Sequence, residues 1–135
     1  MLTELAAKLA ERGARDEALG AWQPERRRFG RPRPAVLDPA GRVWRLGALL
    51  LDRSGQLYAT GKVTRALVPK DFNSDKTLAG EARREVQRAA ARGGFRAGET
   101  VNYEWQPVTA EQAAALVAPA PLAEYLRERA ELLGG

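Results

Sequence analysis

Apolar residues recur along the chain with two periods, one helical and one of alternating strand positions. Residues 2–12 carry Leu2, Leu5, Ala6 and Leu9 on one helical stripe, with Gly13 as the stop. Residues 14–22 read as a second short helix ending in Leu19 and Trp22. Two strands follow, VWRLGALLL and LYATGKVTRALV, separated by DRSGQ. A two-residue Ser54-Gly55 turn would oppose residues whose numbers add to 109. That register puts Trp44, Leu46, Ala48 and Leu50 on one face with Leu57, Ala59 and Val63. Arg45 falls on the other face with Tyr58, Thr60, Lys62 and Thr64.

The second half begins with the polar loop KDFNSDKT and a helix from Leu78 to Arg92, stopped by Gly93-Gly94. VNYEWQPV is a third strand, with Val101, Tyr103 and Trp105 on one side and Asn102, Glu104 and Gln106 on the other. Thr109 and Gln112 form a capping-box pattern before the helix EQAAALV. A last helix, opened by Pro121, turns Leu122, Tyr125, Leu126, Leu132 and Leu133 towards the core. DPAG at 38–41 is a turn signal. The expected fold is α+β: a small, mainly antiparallel sheet, made of a hairpin plus a third strand, covered by helices on one side.

At 135 residues, with 44% hydrophobic positions, the chain is expected to be one domain spanning 1–135. No run approaches the ~20 apolar residues that span a bilayer. The amphipathic MLTELAAKLAERG is neither signal peptide nor anchor, so a soluble cytoplasmic protein without membrane partners is expected.

Cysteine and histidine are both absent. This excludes disulfides, thiolate nucleophiles, imidazole bases and thiolate or imidazole metal sites, and no metal or cofactor is expected. Eighteen Arg against four Lys, with no Ile, reads as the bias of a GC-rich bacterial genome. The net charge of +5 is unevenly spread. Residues 26–70 hold eleven basic against two acidic groups, and residues 71–135 hold eight against ten.

Tested motifs fail on spacing or donor set. GQLYATGKVT has one residue too many between Gly55 and Gly61 for a phosphate-binding loop, and Val63 follows the lysine. DFNSD starts like a calcium loop, but Lys76 replaces the turn glycine and Ala82 the bidentate glutamate. Arg84, Glu85 and Val86 match the core of the Nudix hydrolase box, but its further glutamates would fall on Arg88 and Ala89. Glu81 and Glu85 are therefore expected to pair with Arg84 and Arg88 on the helix surface.

RLGALLLDRSGQLYATGKVTRA and RAAARGGFRAGETVNYE together resemble a set of small uncharacterised actinobacterial proteins, some labelled glutaminase. The resemblance implies an amide hydrolase, but carries no catalytic residue: neither Ser54 nor Ser74 lies in a Ser-x-x-Lys arrangement.

Two surfaces remain as candidates. The polar sheet face joins Arg45, Tyr58, Thr60, Lys62 and Thr64, with Glu104 from the third strand, and would bind a small carboxylate or phosphate ligand. The stretch ERRRFGRPRP, residues 25–34, is read as a basic extended connection whose Arg26, Arg27, Arg28, Arg31 and Arg33 could contact nucleic acid. With no recognised nucleic-acid module present, the solvated connection is favoured over the nucleic-acid arm. The expected function is a binding or interaction module for an anionic ligand or partner, without catalysis. The alternatives are a carboxylate- and lysine-dependent amide hydrolase, a weak nucleic-acid binder, or a homodimer joined through its terminal helices.

Overall fold

A computed structural model describes residues 1–68 and 77–134, with Arg28 described by its backbone alone. In chain order the elements are α1 (Leu2–Arg12), β1 (Glu17–Gln23), β2 (Arg26–Arg28), β3 (Arg31–Arg33), β4 (Val36–Leu46), β5 (Leu49–Asp52), β6 (Leu57–Ala59) and β7 (Lys62–Arg65). They continue with α2 (Leu78–Arg92), β8 (Thr100–Tyr103), β9 (Gln106–Val108), α3 (Ala110–Val117) and α4 (Leu122–Glu131). No helix among the described residues is long and apolar enough to cross a membrane.

The α+β class holds, but the expected small sheet does not. Seven strands hydrogen-bond in the order β7-β8-β1-β4-β5-β6-β9, and β2 and β3 form a separate two-stranded sheet. The larger sheet is mixed, since β1 runs parallel to β8 while the hairpin pairings are antiparallel. Residues 14–22, expected as helix, instead run into β1 (Glu17–Gln23), whose run Ala18, Leu19, Gly20 is buried on both faces. A short apolar run of this kind cannot be told from a helix by its periodicity. DPAG does not end a strand: residues 38–41 lie exposed within β4.

The chain divides into two compact units. The first comprises Met1–Glu17, Arg42–Gly61 and Trp105–Gly135. Its core gathers Ala6 and Leu9 of α1, Trp44, Leu46, Leu49, Leu51 and Leu57 of the strands, and Ala113, Leu126 and Ala130 of α3 and α4. The α1 stripe closes at Gly13, which is left-handed (φ 67°), with the Ala14 amide donating to the Leu9 carbonyl (3.0 Å). Trp44 is fully buried, and its indole N–H donates to the Ala14 carbonyl (3.2 Å). The capping box is present, with Thr109 and Gln112 exchanging side-chain-to-backbone bonds of 2.9 and 3.1 Å. Leu126 is buried, whereas Leu132, expected in the core, is 80% exposed just past the end of α4.

Two turns decide the register of this unit. The run VWRLGALLL is no single strand, because Gly47 and Ala48 turn it back so that Leu46 faces Leu49 and Trp44 faces Leu51. Gly47 has φ 67°, as the first central residue of a type II′ turn requires. The next connection is a three-residue loop, Arg53-Ser54-Gly55, with Gly55 at φ 91°. A two-residue loop would have needed positive φ at Ser54, whereas a three-residue loop asks it only of its last position. Pairing is thus displaced by one residue from the expected register, with Leu50 opposite Tyr58 and Leu51 opposite Leu57. A slip of one moves alternate side chains to the other face. The Gly47-Ala48 turn takes Leu50 off the Trp44 face and brings Leu49 and Leu51 onto it, and the slip in the next loop brings Leu57 to Leu51.

The second unit comprises Ala18–Gly41 and Lys62–Glu104. Its core is Ala18, Leu37, Ala66, Ala89, Ala90 and Val101, with Val86, Phe95 and Tyr103 packed on it. The helix α2 has the expected limits, with Thr77 accepting from the Gly80 amide (3.0 Å) as its cap. At Gly93 a Cβ would run into the Leu37 carbonyl oxygen, so only glycine lets the helix end meet β4. VNYEWQPV is also split: Glu104 takes φ 56° between β8 and β9. Val63, expected in the core, is 54% exposed.

Trp44→Ala is expected to cost ~3–5 kcal/mol in urea unfolding, as truncation of a fully buried tryptophan does. Gly47→Ala should cost more than ~1 kcal/mol, since its Cβ would collide with the Tyr125 hydroxyl on top of the backbone strain. Gly94→Ala has the same left-handed backbone but open space around the Cβ, and should cost less. A reversed glycine ranking would refute the α4–turn packing.

Candidate functional site

The six residues expected on one polar face fall into the two units, Arg45, Tyr58 and Thr60 in the first and Lys62, Thr64 and Glu104 in the second. In the first unit, Arg45 is tied to Glu17, with Nε 3.3 Å from each carboxylate oxygen and Nη2 3.2 Å from Oε1. Glu17 opens β1, the strand that had been expected as helix, so this partner was hidden from the pattern. The Tyr58 hydroxyl donates to Asp52 Oδ2 (2.7 Å), and its ring meets Trp105 edge-on at 5.4 Å. Burial, and then the bond to the Asp52 carboxylate, push the Tyr58 phenol up to about 12. Thr60 lies outside the strand, its amide 3.4 Å from the Ala48 carbonyl.

Asp52 organises the turn beside Tyr58. Its Oδ1 accepts from Ser54 N–H (2.9 Å), Ser54 Oγ (2.6 Å) and Gln56 N–H (3.0 Å). Burial alone would raise its pKa, but the bonds from Ser54, Tyr58 and Gln56 outweigh this and hold it below the usual value. Asp16 behaves alike: partial burial is outweighed by Arg42 and Arg53, both at 2.8 Å. The Arg53 guanidinium also lies 4.8 Å from the Trp44 ring centre, which draws it over the edge of the core.

In the second unit, Lys62, Thr64 and Glu104 line one cavity of about 280 Å³ with Trp22, Arg83 and Tyr103. Lys62 lies opposite Tyr103 and Thr64 opposite Val101, so both side chains take the Tyr103 side of the β7–β8 pair. The Lys62 ammonium is 3.1 Å from Glu104 Oε2, and both side chains are more than half exposed. Trp22, Tyr103 and Arg83 were not among the expected site residues. A partly exposed tryptophan at the end of a strand was the available signal for the first, and the misread helix concealed it.

The basic stretch is extended, but it is an ordered hairpin rather than a bare connection. Arg26 pairs with Arg33, Arg27 with Pro32, and Arg28 with Arg31. Phe29 and Gly30 turn it with φ 53° and 75°, the two positive values of a type I′ turn. Phe29 is 91% exposed there, in a backbone region that bulky residues rarely occupy. Arg26, Arg31 and Arg33 fall on one side of the ribbon, since Cα partners and alternate residues share a face. Among the described residues Arg26, Arg27, Arg31 and Arg33 form no ion pair, and Arg27 reaches only the Gly30 carbonyl, at 3.5 Å. Arg26 and Arg33 also wall a cavity of about 430 Å³, which Gln23 and Asp38 share.

Elsewhere on α2, Arg84 and Arg88 pair with acids along the helix as the spacing predicts, and Arg92 does so as well. Glu81 reaches Arg84 (2.9 Å) and Arg88 (3.2 Å), and Glu85 reaches Arg88 and Arg92, both at 3.5 Å. The calcium-like stretch DFNSD lies outside the described residues.

Since Asp16 and Asp52 have lowered pKa values when folded, the stability they contribute is present above the unfolded value near 4 and is lost as pH falls through their folded values. Urea unfolding between pH 6 and pH 2 should show this loss, and Asp52→Asn should flatten part of it. An unchanged acid limb in that variant would count against the hydrogen-bonded carboxylate. The chain matches no protein-family model, no curated protein and no solved structure.

Proposed function

We propose that the protein is a non-catalytic binding module whose β2–β3 hairpin contacts an anionic partner. One observation carries this reading: arginines face arginines across the hairpin, and no carboxylate among the described residues pairs with Arg26, Arg27, Arg31 or Arg33. Like charges directly opposed across two strands destabilise the pairing. A two-stranded ribbon is marginal in water even without that repulsion. An anion lying along the arginine face offsets the repulsion, and guanidinium forks suit phosphate or carboxylate oxygens. Several other arginines already have acids: Arg45 has Glu17, Arg42 and Arg53 share Asp16, and Arg84, Arg88 and Arg92 pair along α2. They are less available to a partner. The exposed Phe29 at the tip adds an apolar contact beside the charges.

The absence of His and Cys supports a binding role rather than amide hydrolysis. The Lys62 ammonium and the Glu104 carboxylate are engaged with each other in an exposed ion pair.

The test is a binding titration against a phosphate polymer, using labelled duplex and single-stranded DNA at several salt concentrations. Affinity should fall linearly on a log–log salt plot, with a slope of about −0.9 per duplex phosphate contacted. At physiological salt the dissociation constant should be no tighter than ~10⁻⁶ M, as sequence-independent contacts give. Replacing Arg26, Arg31 and Arg33 by Ser should flatten the slope by about two to three units and leave the fold as stable or more so. Binding that survives the triple substitution, or that ignores salt, would overturn the reading.

A further inference from the structure

The cavity beside β7 combines aromatic walls with an ion pair at its edge, and neither belongs to the arginine hairpin. Trp22, which is 41% exposed, and Tyr103 supply aromatic surface, and Val63 and Val86 add aliphatic surface. Lys62 and Arg83 supply two cations, Thr64 a hydroxyl and Glu104 an anion. Its volume of about 280 Å³ lies just under the ~300–1,000 Å³ usual for small-molecule pockets, which limits the occupant to about the size of one amino acid.

The charges restrict the occupant further. Lys62 and Glu104 are 3.1 Å apart and 65% and 55% exposed, so their mutual attraction is largely screened and easily exchanged. A simple anion would take Lys62 and leave the Glu104 carboxylate beside it as a repelling charge. A simple cation would do the reverse with Lys62. A ligand carrying both charges gives each residue a new counter-ion, its carboxylate to Lys62 and Thr64 and its ammonium to Glu104. The Glu104 backbone points the same way. It sits at φ 56° where the run 100–108 breaks, and non-glycine residues held in that region concentrate at ligand sites.

We infer that this cavity binds a small aromatic zwitterion of the amino-acid class, with the ring against Trp22 and Tyr103 and the two charged groups exchanged into the Lys62–Glu104 pair.

Isothermal titration of the full chain with L-tryptophan and L-phenylalanine tests this, against indole-3-propionate, tryptamine and glycine. The three controls remove the ammonium, the carboxylate and the ring in turn. Saturable binding of an aromatic amino acid is expected, with each control weaker by at least about tenfold, the effect of one lost charge-assisted contact or of the ring. Glu104→Gln should weaken the amino acid to the level of indole-3-propionate while leaving indole-3-propionate unweakened. Trp22→Ala should weaken every aromatic ligand, and circular dichroism and thermal melts of both variants establish that they are folded. Replacing Arg26, Arg31 and Arg33 by Ser should change none of this, which separates the cavity from the hairpin. Three results would each overturn the inference: indole-3-propionate binding as tightly as tryptophan, Glu104→Gln binding tryptophan like the unaltered protein, or no saturable binding up to about 10 mM, beyond the millimolar affinities of the weakest specific sites.

Discussion

The Asp52 carboxylate fixes the β5–β6 register at one of the two turns on which the first unit depends. It accepts three hydrogen bonds from Ser54 and Gln56 and one from the Tyr58 hydroxyl, so the loop closes over three residues. That loop length sets Leu51 opposite Leu57 and Leu50 opposite Tyr58. Leu57 thereby joins Leu49 and Leu51, which the Gly47-Ala48 turn sets opposite Leu46 and Trp44, on the face that packs α1, α3 and α4. One residue fewer in the loop would turn Leu57 away from that face. A single partly buried carboxylate with four donors therefore decides which side of the sheet Leu57 joins.

The same accounting of partners separates structural from available charge. Asp16 gathers Arg42 and Arg53, Glu17 holds Arg45, and Glu81 and Glu85 string together Arg84, Arg88 and Arg92 of α2. Charges of this kind shape the protein, and exposed pairs among them add little stability. The hairpin differs from these paired charges. Its arginines are matched by geometry with one another rather than with acids, which leaves their charge for something outside the chain. The Lys62–Glu104 pair is intermediate, since it is satisfied yet exposed enough to be exchanged.

Two backbone positions connect strain with these surfaces. Phe29 at the hairpin tip and Glu104 between β8 and β9 are the non-glycine residues with positive φ among the described residues. Each lies beside one of the two proposed contacts. Neither conformation follows from residue preference, because Asn, Asp or Gly would adopt it more easily.

The sequence by itself determined the elements whose signals are local. The stripe Leu2, Leu5, Leu9 with Gly13 as its stop, the Thr77–Gly93 limits of α2 and the Thr109–Gln112 capping box all depend on residues within one or two turns of each other. The Glu81 and Glu85 pairs with α2 arginines followed from helical spacing for the same reason. Grouping Arg45 with Tyr58 on one face also survived, since both lie across from Leu50. Only the tertiary structure decided β1, because Ala18, Leu19 and Gly20 become a strand by pairing with Val101 and Asn102, more than eighty residues away. It alone broke VWRLGALLL, LYATGKVTR and VNYEWQPV, where period-two alternation runs through without marking that the partner strand changes. Alternation records which side of a strand is apolar, whereas the partner is chosen by loop length and by backbone bonds that any residue can make. For that reason the six residues expected as one site were divided between two units, and Trp22 and Tyr103 entered the candidate cavity only once the chain was folded.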